Sequence, residues 1–136
     1  MNQTLQEHQE LLKKALTGNA VFSIVSGMAI LFTNRWLVAF LGLPDKVSLV
    51  ILGLSLLGYA MLLWLSAHRP KIKITDAWVA VIMDVVWVVG SYALVVLVPF
   101  SVGGKWLVAL VAELVLAFAV LQWLGIRKIR KSGQHA

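Results

Sequence analysis

Four long apolar stretches occupy most of this chain, at about 16–33, 47–67, 77–98 and 106–126. Each is long enough to cross a hydrocarbon core of ~30 Å at about 1.5 Å per helical residue. Hydrophobic residues make up 60% of the chain and charged residues 13%, which leaves too few polar side chains to cover a surface that faces water. The bilayer is therefore the expected solvent. We predict one all-α domain, residues 1–136, folded as a four-helix transmembrane bundle.

The positive charges lie mainly in alternate gaps between the apolar stretches. Cytoplasmic loops of membrane proteins carry an excess of lysine and arginine, so this split predicts that both termini are cytoplasmic (N-in/C-in). Five of the six tryptophans also fall near predicted span ends, as in an aromatic belt. The net charge of +6 is therefore assigned to anionic lipid headgroups and not to nucleic acid. One side carries Lys13, Lys14, Arg69, Lys71, Lys73, Arg127, Lys128, Arg130 and Lys131, and the other carries Arg35, Lys46 and Lys105.

Two segments outside the four spans are also predicted to be helical. Residues 4–14 have the pattern of a short N-terminal amphipathic helix, which either continues into the first span or docks a partner. A single helix that continued through residues 36–43 would bury Arg35, at a cost of about 2.5 kcal/mol or more near the membrane centre. We therefore predict a break near Asn34, followed by an interfacial or re-entrant helix at 36–43.

Local signals predict how the helices begin and end. Thr75 or Asp76 is expected to cap the third span, because both residue types accept hydrogen bonds from the free N–H groups of a first helical turn. The glycine-containing segment 101–104 is predicted to be the tight turn before the fourth span. Residues 132–136 are predicted to be a frayed tail.

Two acids lie inside predicted spans, Asp84 in the third and Glu113 in the fourth. No lysine or arginine lies inside a span to pair with them, and an ionised aspartate at a helix centre costs about 2.5–3.5 kcal/mol on an insertion scale. Both are therefore expected to face protein or water, and to be protonated or hydrogen-bonded to neutral donors. They either hold the bundle in register or act as proton-exchanging or cation-binding groups.

Depth along the spans predicts which polar residues lie together. At about 1.5 Å per residue from the cytoplasmic end, Asp84 lies about 11 Å deep and Glu113 about 20 Å deep. The spacing predicts a lower polar layer around Asp84 and an upper one around Glu113. The candidate ligand- or ion-binding residues are Asp84, Tyr59 and Ser26 below, Glu113, Ser55 and Ser91 above, and Trp87 on the helix face of Asp84.

Packing is the competing explanation for several of these residues. Serine and glycine at helical spacing let helices approach closely without binding a ligand, as for Asn19, Ser23 and Gly27 at four-residue spacing in the first span. Trp87 is interpreted as a packing residue, with the wall of a ligand cavity as the alternative. Gln122 either bonds across the bundle or reaches to the interface.

No conventional catalytic, metal or cofactor site is predicted. The chain has no cysteine, and His8, His68 and His135 lie outside the spans, with no second histidine one turn away. It has no glycine-rich phosphate loop and no set of serine, histidine and acid in a plausible common place. The chain is therefore expected not to be an enzyme and to bind no cofactor.

Three stretches resemble small four-span bacterial membrane proteins of uncharacterised function: WLVAFLGLP at 36–44, DVVWVVGS at 84–91 and LQWLGIRK at 121–128. The resemblance implies a bacterial inner-membrane location and no particular activity. The chain is also similar in size and span number to small multidrug-resistance exporters. Those proteins rely on a glutamate in the first span, where this chain has none, so their function is not carried over.

These observations favour a non-enzymatic subunit or scaffold of the inner membrane, which packs in the bilayer as a homo-oligomer or against a larger membrane protein. The alternative is a small proton- or cation-coupled transporter or channel that uses Asp84 and Glu113. An enzyme acting on lipid or quinone is a weaker third hypothesis, because no nucleophile or dense set of polar side chains is visible.

Overall fold

The computed structural model describes residues 3–134, and within that range the chain forms five α-helices and no strand. All the helices except the second are long and apolar enough to cross a membrane. The prediction of an all-α protein with four membrane-spanning helices is confirmed at this level. The helices are α1 (Gln3–Phe32), α2 (Asn34–Leu41), α3 (Val47–Ala67), α4 (Ile74–Leu97) and α5 (Val102–Gln134).

The break between α1 and α2 falls at Thr33. The hydroxyl of Thr33 donates to the Ala29 carbonyl at 2.5 Å, and the side-chain amide of Asn34 donates to the Leu31 carbonyl at 2.6 Å. The Ala29 carbonyl also accepts the Thr33 N–H at 2.9 Å, so the Asn34 bond is the one that satisfies a carbonyl group left open at the end of the helix. The amphipathic residues 4–14 form the first turns of α1 itself, so they continue into the first span.

The short helix α2 is fixed at its end by a glycine and by α5. Gly42 adopts a left-handed conformation (φ 76°), and its N–H donates to the Val38 carbonyl at 3.0 Å. The N–H of Ser101 donates to the Leu41 carbonyl at 3.1 Å, and the Ser101 hydroxyl donates to the Phe40 carbonyl. Whether α2 lies on the membrane surface or enters the membrane stays a prediction.

Three predictions about helix ends are wrong. Neither Thr75 nor Asp76 caps α4, which begins at Ile74 without a side-chain cap; the Asp76 carboxylate instead lies 3.8 Å from the Arg69 guanidinium. The segment 101–104 is not all turn, because Ser101 Oγ accepts the Gly104 N–H at 2.9 Å and α5 begins at Val102. Residues 132–134 of the predicted frayed tail are helical, since α5 continues to Gln134, and residues 135–136 lie outside the described residues.

The spatial order of the long helices is α3, α1, α5, α4, with α1 packed against α3 and α5, and α4 packed against α5. Although α3 and α4 are consecutive in the chain, they touch little. The main apolar core lies where α1 and α4 begin and α3 and α5 end. We call this the basic end, because nine of the twelve lysines and arginines lie there. The core includes Leu12, Leu16, Leu63, Ala67, Ala77 and Ile126.

Candidate functional site

A polar network lies inside the bundle beside this core, and each of the four long helices contributes one side chain. Asn19 of α1 and Gln122 of α5 donate their amide N–H groups to Asp84 Oδ2, at 2.7 Å and 2.8 Å. Tyr59 of α3 donates its hydroxyl to Asp84 Oδ1 at 2.8 Å. Asn19 also donates to Gln122 Oε1 at 3.0 Å. The carboxyl of Asp84 is therefore the point at which all four helices are joined.

The network is almost completely enclosed by protein. Asp84 is 2% exposed, Asn19 1% and Gln122 0%, and these three are among the largest fully buried side chains of the described residues. Tyr59 is half-buried. Polar groups in an apolar interior are costly unless they are hydrogen-bonded. The burial of this network is thus sustained by the bonds that its members make to one another.

The hydrogen bonds fit an ionised carboxylate at Asp84. All three groups that contact its oxygens, from Asn19, Gln122 and Tyr59, are neutral donors, and an ionised carboxylate only accepts. Within the described part of the chain, no ion pair involves this carboxylate. The expectation that Asp84 is hydrogen-bonded to neutral donors therefore agrees with the geometry.

The same arrangement also accommodates a proton. The hydroxyl of Tyr59 lies 3.1 Å from the Ala80 carbonyl as well as 2.8 Å from Asp84 Oδ1. If Asp84 were protonated, its hydroxyl could donate to the Tyr59 oxygen, and Tyr59 could turn its own hydrogen towards the Ala80 carbonyl. Apart from the new proton on Asp84, proton uptake would need only a rotation of the Tyr59 hydroxyl. These bonds also link α3 to α4, which otherwise touch little.

The structure realises the predicted lower layer only in part. Tyr59 and Asp84 are in direct contact, whereas Ser26 is half-buried and joins neither of them in the described contacts. Trp87 is half-buried one turn after Asp84, and its indole Nε1 is buried without a hydrogen-bond partner among the described residues. Whether these residues bind a ligand or an ion stays a prediction.

The structure does not bring the residues of the predicted upper layer together, and whether they bind a ligand or an ion stays a prediction. Ser91 is buried, but Ser55 is exposed and donates to the Ile51 carbonyl of its own helix at 2.8 Å. Glu113 is also exposed. Depth along a helix does not fix rotation about its axis, and the buried face of α5 passes through Ala112, one position (100°) away from Glu113. The buried residues of this face include Ala112, Val115, Ala119, Gln122 and Ile126.

The sequence interpretation missed Asn19 as a site residue and left Gln122 open. Gln122 bonds across the bundle, which is one of the two alternatives considered. The sequence pattern groups Asn19 with the packing residues Ser23 and Gly27, because the three recur at four-residue spacing in the first span. The available signal was chemical: an amide side chain in an apolar helix must find partners, and the donors of Asn19 and Gln122 match the acceptors of Asp84.

A second polar pair lies on the outer surface of the bundle, between α4 and α5. The Tyr92 hydroxyl donates to Glu113 Oε1. Tyr92 is 40% exposed, and Glu113 is exposed as well. Exposed apolar side chains surround the pair, including Val89, Leu110 and Leu114. In a membrane, this face would present a carboxyl group to lipid with a single hydrogen bond.

Metal ligation finds no support in the described residues, which contain no group of three or more histidine, cysteine, aspartate or glutamate side chains suited to an ion. His68 stacks on Trp64 with ring centroids 4.2 Å apart, and its Nδ1 lies 2.9 Å from the Trp64 carbonyl oxygen. His135 lies outside the described residues. The absence of a cofactor and of a metal stays a prediction.

Comparison with known proteins adds no family to this picture. No protein-family model matches the chain, and no curated protein or solved structure is significantly similar to it. The function must therefore be inferred from the geometry of the chain itself.

Proposed function

We propose that the protein is a non-enzymatic structural subunit of a bacterial inner membrane, and that it assembles with a second copy of itself through the outer face of α4 and α5. The observation that carries this proposal is the Tyr92–Glu113 pair on a surface that otherwise suits lipid. Both termini and the basic end face the cytoplasm, as the nine-to-three division of lysine and arginine supports.

The position of Glu113 argues that lipid does not cover this face. Glu113 lies seven residues after Trp106 and ten before Trp123, so it lies about 10 Å inside the apolar region. An acidic side chain in hydrocarbon carries a cost that reaches about 2.5–3.5 kcal/mol at a helix centre. A protein surface that supplies further hydrogen bonds would remove much of that cost.

Small residues around the pair leave room for another helix. Ala109 and Ala117 lie one turn on either side of Glu113 along α5, and small side chains at this spacing allow close helix contact in membranes. The small side chains around the polar pair therefore let a second helix pack closely against this surface.

A second copy suits this face because the face is self-complementary. It presents one donor, the Tyr92 hydroxyl, beside one acceptor, the Glu113 carboxyl. In a two-fold dimer, equivalent patches face each other, so a protonated Glu113 can donate its own hydroxyl to the Tyr92 oxygen of the other copy, while Tyr92 keeps its bond to Glu113 of its own chain. The buried network of Asp84 supports the same function, because its bonds fix the four helices as one unit that can serve as a rigid building block.

Cysteine crosslinking in liposomes at a high lipid-to-protein ratio tests the dimer. The chain has no cysteine, so Ala117→Cys introduces a single thiol one turn from Glu113. We expect oxidation to give a covalent dimer of this variant. The matched control is Leu54→Cys on α3, a position that is 58% exposed on a different helix, and it should give no covalent dimer. Equal crosslinking of the two variants would contradict the proposed interface.

The Glu113 side chain itself is tested by Glu113→Leu. Two hydrogen bonds across the dimer at about 0.6–1.7 kcal/mol each correspond to a roughly tenfold to 300-fold weaker dimer. The monomer–dimer equilibrium of the full chain can be measured by single-molecule photobleaching in liposomes. A dimer of unchanged strength would show that the carboxyl does not contribute to assembly.

A second candidate function is proton- or cation-coupled transport through Asp84. The observation that favours it is the Tyr59 hydroxyl, which contacts both Asp84 Oδ1 and the Ala80 carbonyl and so lets the network take up a proton locally. Glu113 does not share this site, because it is exposed on the outer face while Asp84 is buried. Transport would therefore depend on Asp84 alone among the two acids.

Asp84→Asn separates the two functions. An asparagine can accept from Asn19 and Gln122 through its oxygen and donate to Tyr59 through its nitrogen, so the bundle should keep its fold. For a transporter, proton-coupled flux in proteoliposomes should fall to the level of empty liposomes. For a subunit, the dimer should form as before. Proton-coupled flux in the wild type that is lost in Asp84→Asn and kept in Glu113→Gln would favour transport over the structural function.

A further inference from the structure

A small basic pocket opens between α4 and α5 at the basic end, apart from the buried network of Asp84. It encloses about 200 Å³ and is lined by Trp78, Trp123, Ile126, Arg127, Arg130 and Lys131. The pocket lies where the apolar part of α5 gives way to its charged end. Tryptophan is enriched at this depth, because its ring suits the boundary between hydrocarbon and headgroups. The location is that of a phospholipid headgroup.

The three cations converge because of their spacing on α5. Arg127, Arg130 and Lys131 are separated by three and four residues, so they lie on one face of the helix. The Arg127 guanidinium lies 5.4 Å from the ring centroid of Trp123, within the range of a cation–π contact. This contact holds one guanidinium at the wall of the pocket, with its remaining N–H groups free to bind an anion.

No carboxylate within the described residues competes for these cations. The ion pair found in that part of the chain joins Arg69 and Asp76, and it involves none of the three. The pocket lining includes no acidic side chain either. Three positive charges therefore share one small cavity without an anion from the described protein, and arginine in particular matches the geometry of phosphate.

Exposed apolar side chains continue from the pocket along both helices. Ile82 and Val85 lie one and two turns beyond Trp78 on the same face of α4, and Val120 and Leu116 hold the corresponding positions before Trp123 on α5. Their exposed fractions are 56%, 43%, 45% and 37%. A cationic pocket above an apolar strip matches the two parts of a phospholipid, the phosphate and the acyl chain.

We propose that this pocket is a specific site for the phosphate of an anionic phospholipid, whose acyl chain lies along the exposed strip of α4 and α5. Basic pockets between transmembrane helices on the cytoplasmic side are suited to anionic headgroups. Every lining residue of the pocket belongs to one chain. The strip lies between the pocket and the Tyr92–Glu113 pair, so the acyl chain would cover the part of the α4–α5 face nearest the basic end, and the proposed dimer contact the part around the pair. A soluble phosphate compound has the same anionic group but no part that would use the strip.

Native mass spectrometry of the full chain in detergent can test the site, with phosphatidylglycerol as the probe and phosphatidylcholine as the zwitterionic comparison. We expect the wild type to retain one phosphatidylglycerol in preference to phosphatidylcholine. In Arg127→Gln/Arg130→Gln/Lys131→Gln, this affinity should fall at least about tenfold, because each charge near the headgroup contributes to binding. Arg130→Gln alone should give a smaller fall, and it serves as the readout if the triple variant is poorly folded.

The matched control removes the same charge from other places at the basic end. Lys71→Gln/Lys73→Gln/Lys128→Gln also loses three positive charges, all from exposed side chains outside the pocket. It should keep the wild-type affinity for phosphatidylglycerol. An equal loss in both triple variants would show a diffuse charge effect and overturn the proposal. Displacement of the lipid by millimolar inorganic phosphate or glycerol phosphate would also overturn it, in favour of a soluble occupant.

Discussion

Replacing Asp84 with leucine is expected to lower the unfolding free energy of the bundle by about 1–3 kcal/mol, from two orphaned amide donors at about 0.6–1.7 kcal/mol each in a membrane. The substitution removes both carboxyl oxygens and leaves one amide N–H of Asn19 and one of Gln122 without an acceptor, whereas the Tyr59 hydroxyl can still donate to the Ala80 carbonyl. Asn19 and Gln122 are enclosed by protein and cannot turn towards water. Unfolding in bicelles by steric trapping measures the change directly.

Two further variants show whether the loss comes from unsatisfied donors. Asp84→Asn supplies an acceptor and a donor of the same shape, so it should cost much less than Asp84→Leu. In Asn19→Leu/Asp84→Leu/Gln122→Leu, most of the polar network is replaced by apolar side chains. This triple variant should recover part of the stability lost in Asp84→Leu, because removing all partners is less costly than removing one. Additive losses across the three positions would show that the network has no cooperative role.

The fold was predictable because it depends on length and apolar content. An apolar stretch of about 20 residues in a bilayer has little choice except a helix, since every backbone group must be satisfied internally. The boundaries 47–67 for the second span coincide with α3 (Val47–Ala67). Helix ends were less predictable, because they depend on single hydrogen bonds. Ser101 caps α5 through the Gly104 N–H, and sequence alone did not distinguish this from a glycine-rich turn.

The site was less predictable because it depends on helix rotation and on which helices are neighbours. Spacing placed Tyr59 level with Asp84, and the two do bond. The same estimate of depth placed Ser55 at the level of Glu113, yet both residues are exposed on the outside of α3 and α5. A rotation of 100° separates adjacent positions on a helix, so an error of one residue changes an interior acid into a surface acid. Residue type was the better guide, since the amides of Asn19 and Gln122 required partners.

The contact between α1 and α3 gives the other large expected effect, because it depends on two glycines. A Cβ on Gly27 would lie 2.9 Å from the Gly53 carbonyl oxygen, and 3.1 Å and 3.2 Å from Leu57 side-chain carbons. The closest of these atoms belongs to the backbone, so it cannot move without moving α3. The extra methyl group would therefore push α1 and α3 apart along their shared surface.

Gly27→Ala is expected to lower the unfolding free energy by about 1–3 kcal/mol, the usual cost of overpacking a close contact. The matched control is Gly58→Ala on α3, where a Cβ would meet no atom within 4 Å. Both variants make the same chemical change in a helix, where alanine is favoured over glycine by up to about 1 kcal/mol. The control should therefore be neutral or slightly stabilising in the same steric-trapping measurement. Equal effects of the two substitutions would mean that α1 and α3 do not meet at Gly27 and Gly53, and the arrangement of helices around Asp84 would then need to be different.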